Sequence, residues 1–237
     1  MNMRGKRGGA QVTLGLAIAA VAAGCGGSSS GPPADADKGD PAATKAVEVQ
    51  AVRAWLDPDD TKKYDDTAYV VVHNTSDKLA TGVTVVAKWP NGYEVSQDNA
   101  IAVQPGQRGI FLLGPFDAPP EVKGQPKAQV RVDKLKASTA PSPVVSFSGV
   151  KLAGKCDATG TVKNEFKHNH PGTSGLIVGL KDGNIVTAGS IFFQEPGLEP
   201  GKTGTFKSDL QPLCPNGQKP DEFIATAQIG EGELDKP

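Results

Sequence analysis

The chain has 237 residues, a formal net charge of −1, only 5 % aromatic residues, and 29 Gly and 19 Pro. A near-neutral chain without a basic stripe argues against a nucleic-acid partner. Abundant turn formers, sparse aromatics and no long apolar helical pattern point to β-sheet with many turns.

The first element is a leader. Arg4, Lys6 and Arg7 precede an apolar run from about Val12 to Ala23, and small residues close it. This is the three-part layout of a secretory signal over residues 1–24. The run is shorter than the roughly 20 residues a membrane-spanning helix requires. Ala22-Ala23-Gly24-Cys25 resembles a bacterial lipobox, with Ala22 where that motif prefers Leu. The resemblance implies that Cys25 takes a diacylglyceryl group and becomes the new N-terminus. The alternative is an ordinary cleaved signal with an unrelated Cys after it. A lipobox implies anchorage to the lipid bilayer of the cell membrane, facing outside the cytoplasm, because two or more acyl chains attach durably where one does not. Loss of Arg4, Lys6 and Arg7 with the leader takes the net charge from −1 to −4.

Residues 25–45 read as the lipidated Cys and a flexible tether, rich in Gly, Ser, Pro and Asp and poor in core-forming side chains. About 20 such residues reach roughly 25 Å. A first β-sandwich domain is expected over 46–137. Its strands read as Ala46–Leu56, Thr67–Asn74 (TAYVVVHN, the strongest in the chain), Thr81–Trp89, Tyr93–Val103, Arg108–Leu113 and Gln129–Leu135. The Asp-rich stretch between Asp57 and Asp66 lacks the spacing of an EF-hand calcium loop and reads as a solvated hairpin tip. A Pro/Ser linker over 138–143 separates a second β-sandwich domain, 144–237. Its strands read as Val144–Leu152, Thr159–Phe166, Gly175–Leu180, Ile185–Phe193, Thr203–Leu210 and Glu222–Ile229.

The two blocks share a skeleton. Val72-His73-Asn74, Asn91-Gly92 and Pro105-Gly106 in the first answer to Val162-Lys163-Asn164, Asp182-Gly183 and Pro200-Gly201 in the second. Each block thus has a hairpin turn between two central strands, then a Pro-Gly turn that launches the next strand. About 90 residues with six or seven strands is the size of an immunoglobulin-like sandwich. The fold class expected is therefore all-β, two such sandwiches in tandem behind a disordered, lipidated tether. Through Gly160 to Asn164, Leu180 to Val186, Leu198 to Gly201 and Phe206, the second block resembles the FxLyD family of extracellular β-sandwich domains. The first looks like a divergent copy, or like the immunoglobulin-like domains of secreted actinobacterial antigens. The resemblance implies a fold and an exported lipoprotein setting. It carries no common catalytic residues.

Candidate chemistry is thin. With Cys25 in the anchor, Cys156 and Cys214 are left as a pair, and in an exported chain the expected state is a disulfide. Metal ligation or a redox role are the alternatives, the latter without a C-x-x-C motif. The bridge would close a loop of about 58 residues, worth about 4 kcal/mol in the loop-entropy treatment. His168 and His170 form H-x-H, which falls on one side of an extended segment and could hold zinc or copper, but a third ligand is not evident. His73 reads as an ordinary strand-end residue. Trp55 and Trp89 read as core or edge aromatics. No G-x-S-x-G, P-loop or dinucleotide fingerprint occurs. The sequence therefore leads to a non-catalytic, membrane-anchored binding module without a cofactor, whose partner is an envelope or secreted protein. The alternative is a metal or small-ligand carrier using His168 and His170.

Overall fold

The computed structural model describes residues 39–56, 66–98, 101–167, 174–193, 199–213, 218–230 and 234, and the chain is nearly all β. The leader, Cys25, most of the tether, the loop 57–65, His168, His170 and Cys214 lie outside the described residues.

Sequence position 39 already belongs to the folded body, which corrects the expected tether boundary at 45. Asp40 accepts from the Ala42 amide at 2.9 Å and Pro41 occupies the start of a one-turn helix, α1 (Pro41–Lys45). Ala43 is buried in the first core. The Asp40 amide donates to the Val132 carbonyl, and the Val132 amide donates to Thr44 Oγ1. An N-cap, a Pro at the first turn and one small apolar residue are enough to dock this turn.

The first unit is two three-stranded antiparallel sheets. One joins β1 (Val47–Trp55), β2 (Asp66–Asn74) and β5 (Arg108–Phe116) in the order β1-β2-β5. The other joins β3 (Leu79–Lys88), β4 (Glu94–Asp98) and β6 (Lys127–Lys136) in the order β4-β3-β6. Val70, Val72, Phe111, Val83, Val85 and Val132 meet between them. Trp89 is buried here, its ring 5.5 Å from Tyr93 and 5.8 Å from Phe116, with Nε1 donating to the Gly124 carbonyl. Trp55 is 40 % exposed at the end of β1. Asp66, expected in the acidic tip, is instead buried in β2 and accepts from the Ala118 amide at 2.8 Å. The strand expected over 93–103 is shorter, because Val103 returns to pair with Ala80 and Ile101 bridges to Gly230 of the second unit.

The second unit comprises β7 (Val145–Leu152), β8 (Asp157–Asn164), β9 (Ser174–Lys181), β10 (Asn184–Phe193), β11 (Thr203–Leu213) and β12 (Glu222–Ala227). They form one six-stranded sheet, β12-β9-β10-β11-β8-β7. Strand by strand it repeats the first unit: β7-β8-β11 answers to β1-β2-β5, and β10-β9-β12 to β4-β3-β6. The difference is that β10 and β11 hydrogen-bond, which joins the two halves. The sheet folds over at that junction, so Val162, Phe206 and Leu210 on one half meet Ile177 and Ile191 on the other. The pairing skips between Ala188 and Ser190. Gly189 sits at this bulge, where a Cβ would lie 1.8 Å from the Asp209 carbonyl oxygen.

The repeated residues do matching work. Asn74 and Asn164 are both fully buried. The Asn74 amide donates to Gln107 and that of Asn164 to Lys202, while Gly106 donates to Ser76 and Gly201 to Asn164. Asn74 Nδ2 also donates to the Lys78 and Val103 carbonyls, so one side chain ties the β2–β3 turn to the segment that precedes β5. Asp182 and Gly183 both have positive φ, 50° and 76°, as a tight two-residue hairpin demands. Phe206 pairs across from Gly160, and its ring fills the space a Gly160 side chain would need.

The two units are not independent. A third core, of Tyr69, Val71 and Ile110 against Leu176, Val178, Leu180, Ile185 and Ile224, packs the β1-β2-β5 sheet onto the β10-β9-β12 half. Four sheet layers are thereby stacked with three apolar interlayers. The linker is pinned as well. Gln104 Nε2 donates to the Pro141 carbonyl at 2.7 Å, its Oε1 accepts from Val144, and Ser142 donates to the Pro105 carbonyl.

Ile110→Ala and Ile185→Ala, on opposite sides of the third core, should each cost about 2–5 kcal/mol. Both should lower a single calorimetric transition; two separate transitions, with only the mutated unit affected, would contradict the shared core. Burial raises the Tyr69 phenol from its ordinary value to about 12. Because the folded value lies above the unfolded one, this neutral phenol's contribution is complete below about pH 10 and lost as pH rises toward about 12. Urea midpoints measured near pH 8 and about pH 11 should therefore fall further in the wild type than in Tyr69→Phe.

Candidate functional site: the groove between the units

Beside the third core an open groove of about 450 Å³ runs along the junction. Its lining is mixed in polarity. His73 and Arg108, opposite each other on β2 and β5, stand on one side, and Phe147 and Val150 of β7 on the other. Residues Glu222 through Thr226 of β12 line it consecutively. Successive strand side chains point to opposite faces, so five consecutive lining residues mean that the main-chain edge of β12 itself faces the groove. β12 and β7 are the two outer strands of the six-stranded sheet, and among the described residues no strand pairs with their outer edges.

One ion pair crosses between the units at the groove: Arg108 Nη1 donates to Glu222 Oε1 at 2.5 Å, with side chains 35 % and 51 % exposed. Thr226 Oγ1 is buried without a hydrogen-bond partner. Ser146, also in the lining, donates to Glu165. The Lys163 ammonium beside Glu165, helped by Ser146, holds its carboxyl below the usual carboxylate range. At the far end, a smaller cavity of about 70 Å³ is lined by Ala102, Val145, Ala227 and Leu234. The groove thus offers a peptide-like main-chain edge, an apolar wall and a charged rim.

Of the residues singled out in the sequence, His73 lines the groove. His168, His170, Cys25 and Cys214 lie outside the described residues. Cys156 stands just before β8. Its carbonyl accepts from the Leu210 amide at 2.9 Å, which places it beside β11, the strand that leads to Cys214. Among the described residues no group of three or more His, Cys, Asp or Glu could hold a metal ion, and no helix is long and apolar enough to cross a membrane. Sequence reasoning missed His73, Arg108 and Glu222 as a set. They come from two repeats, and only packing of one unit on the other joins them. No protein-family model, curated protein or solved structure matches the chain.

An exposed pair of this kind contributes little, about 1 kcal/mol or less. Glu222→Gln should therefore shift the urea midpoint only slightly, and the shift should shrink in about 1 M salt. A loss several times larger would show that the pair clamps the units together.

Proposed function

We propose that the protein is a lipid-anchored, extracytoplasmic binding module without catalytic activity, held at the cell envelope through Cys25. The groove carries the binding half of this reading: an accessible strand edge flanked by apolar and charged side chains serves recognition of another polypeptide. The leader, the small-small-Gly-Cys ending and the Gly/Ser tether support anchorage. In this reading Cys156 pairs with Cys214 and closes the end of β11 onto β8. Each unit is an immunoglobulin-like sandwich of FxLyD type, a view supported by the repeated strand order and by Phe206 packed over Gly160. The partner is an envelope or secreted protein. A third core packs the two units together behind the groove.

The anchored half is tested by phase partition. The wild-type chain expressed in a lipidating bacterium should enter the detergent phase, and Cys25→Ala should stay in the aqueous phase. A Cys25→Ala protein that still partitions into detergent would refute the anchor.

A further inference from the structure

The two repeats treat the seam between their layers differently. In the first unit, this chain's own groups bond the edges of β1 and β6 at Ala54 and Val132. The Asp40 amide and Thr44 hydroxyl bond the Val132 carbonyl and amide on β6. On β1, the Ala54 amide donates to Gln125 Oε1 and Gln125 Nε2 returns to the Ala54 carbonyl, the pattern of a strand partner made from a side-chain amide. Ala43 seals the space between. In the second unit the segment in the position of α1 is the linker 138–143, which sets Ala140 against the second core and bonds Gln104 and Pro105 rather than an outer strand edge. Leu234 closes one end of the β7–β12 seam beside Val145, Ala225 and Ala227. The other end, along Glu222 to Thr226, is the groove.

We infer that this seam is an acceptor site for an extended peptide segment of the partner protein, which adds as a strand along the outer edge of β12. This rests on the reading of the chain as a binding module. The main-chain edge supplies hydrogen bonds to any extended backbone, and the flanking side chains choose the sequence. Alternate side chains of the incoming strand point to opposite sides. Those on one side meet Phe147, Val150 and Phe223; those on the other meet Arg108 and His73. The matching segment therefore alternates apolar and acidic residues. Its carboxylate takes the place of Glu222 on Arg108, an exchange that is cheap because the resident pair is exposed. Thr226 Oγ1, buried and unpartnered, gains a bond from the same strand.

The test uses the full chain in detergent micelles and a synthetic hexapeptide alternating valine and glutamate, followed by hydrogen-exchange mass spectrometry. At peptide concentrations up to about 1 mM, exchange over residues 222–227 should slow in a saturable way. An N-methylated copy of the peptide, unable to pair as a strand, should give no protection. A copy with lysine for glutamate should bind about tenfold more weakly. Val150→Lys, which places a charge on the half-buried apolar wall, should lose the protection while the protein still melts in one cooperative transition. Absence of saturable protection over 222–227, or equal protection by the N-methylated peptide, would overturn the assignment. Such a failure with the Cys25-dependent partition intact would leave the anchored reading standing. Detergent partition that ignores Cys25 would overturn that reading and not this one.

Discussion

The structure depends on one constraint: β2 and β9 are each buried on both faces. Along β2, Ala68, Val70 and Val72 point into the first core while Tyr69 and Val71 point into the third. Along β9, Leu176, Val178 and Leu180 face the third core and Ile177 the second. A strand covered on both sides has no polar face, which is why Val70-Val71-Val72 and Leu176-Ile177-Val178 run without alternation. It also limits side-chain size. A Cβ at Gly179 would come within 2.5 Å of Thr187 and 2.7 Å of Pro220, and one at Gly175 within 2.5 Å of the Thr226 carbonyl oxygen. Remove the third core and both strands would expose an apolar stripe to water.

Most of the fold was legible before any coordinates. Asn-Gly, Asp-Gly and Pro-Gly dipeptides mark turns by a local mechanism, since each supplies a positive φ at a known position. Both Pro-Gly turns have that geometry, at Gly106 and Gly201. The strands among the described residues follow from such punctuation and β-branched runs, and the shared skeleton of the two blocks is a shared strand order. The signal at the start of α1 was legible too, in Asp40-Pro41, but a composition rich in Pro and Asp outweighed it. A single turn holding one buried Ala is too little apolar material to stand out from a tether.

What escaped the sequence was long-range. A continuous apolar run indicates that both faces of a strand are covered; it does not name the covering surface. Nothing in Val71 points to Val178 more than to a neighbouring strand of its own block, so the blocks read as separate sandwiches on a linker. The site escaped for the same reason. His73 and Arg108 sit on one repeat and Glu222 on the other, and none belongs to a motif that marks a binding or catalytic site. A sign was present in the comparison of repeats: Asp40-Pro41-Ala42-Ala43 precedes β1, whereas Ala140-Pro141-Ser142-Pro143 precedes β7. The second has Ala140 where the first has the Asp40 cap, and Pro143 where the first has the buried Ala43.

Edge strands are a hazard because unpaired main-chain groups invite any other strand. The first unit answers with Gln125 bonded to Ala54 on β1 and the Asp40 and Thr44 groups bonded to Val132 on β6, which interrupt each edge. The second unit guards β12 differently. Arg108 and Glu222 place opposite charges at the mouth of the groove, and the β5 side confines the approach. Charge at an edge discourages indiscriminate pairing while leaving the backbone accessible to a strand that meets those charges. A fold needing only stability would have closed both seams alike, as its repeated architecture permits. The open seam lies where the two units are locked by a hydrophobic core, so a docked strand would meet a preorganised surface and lose little to conformational ordering.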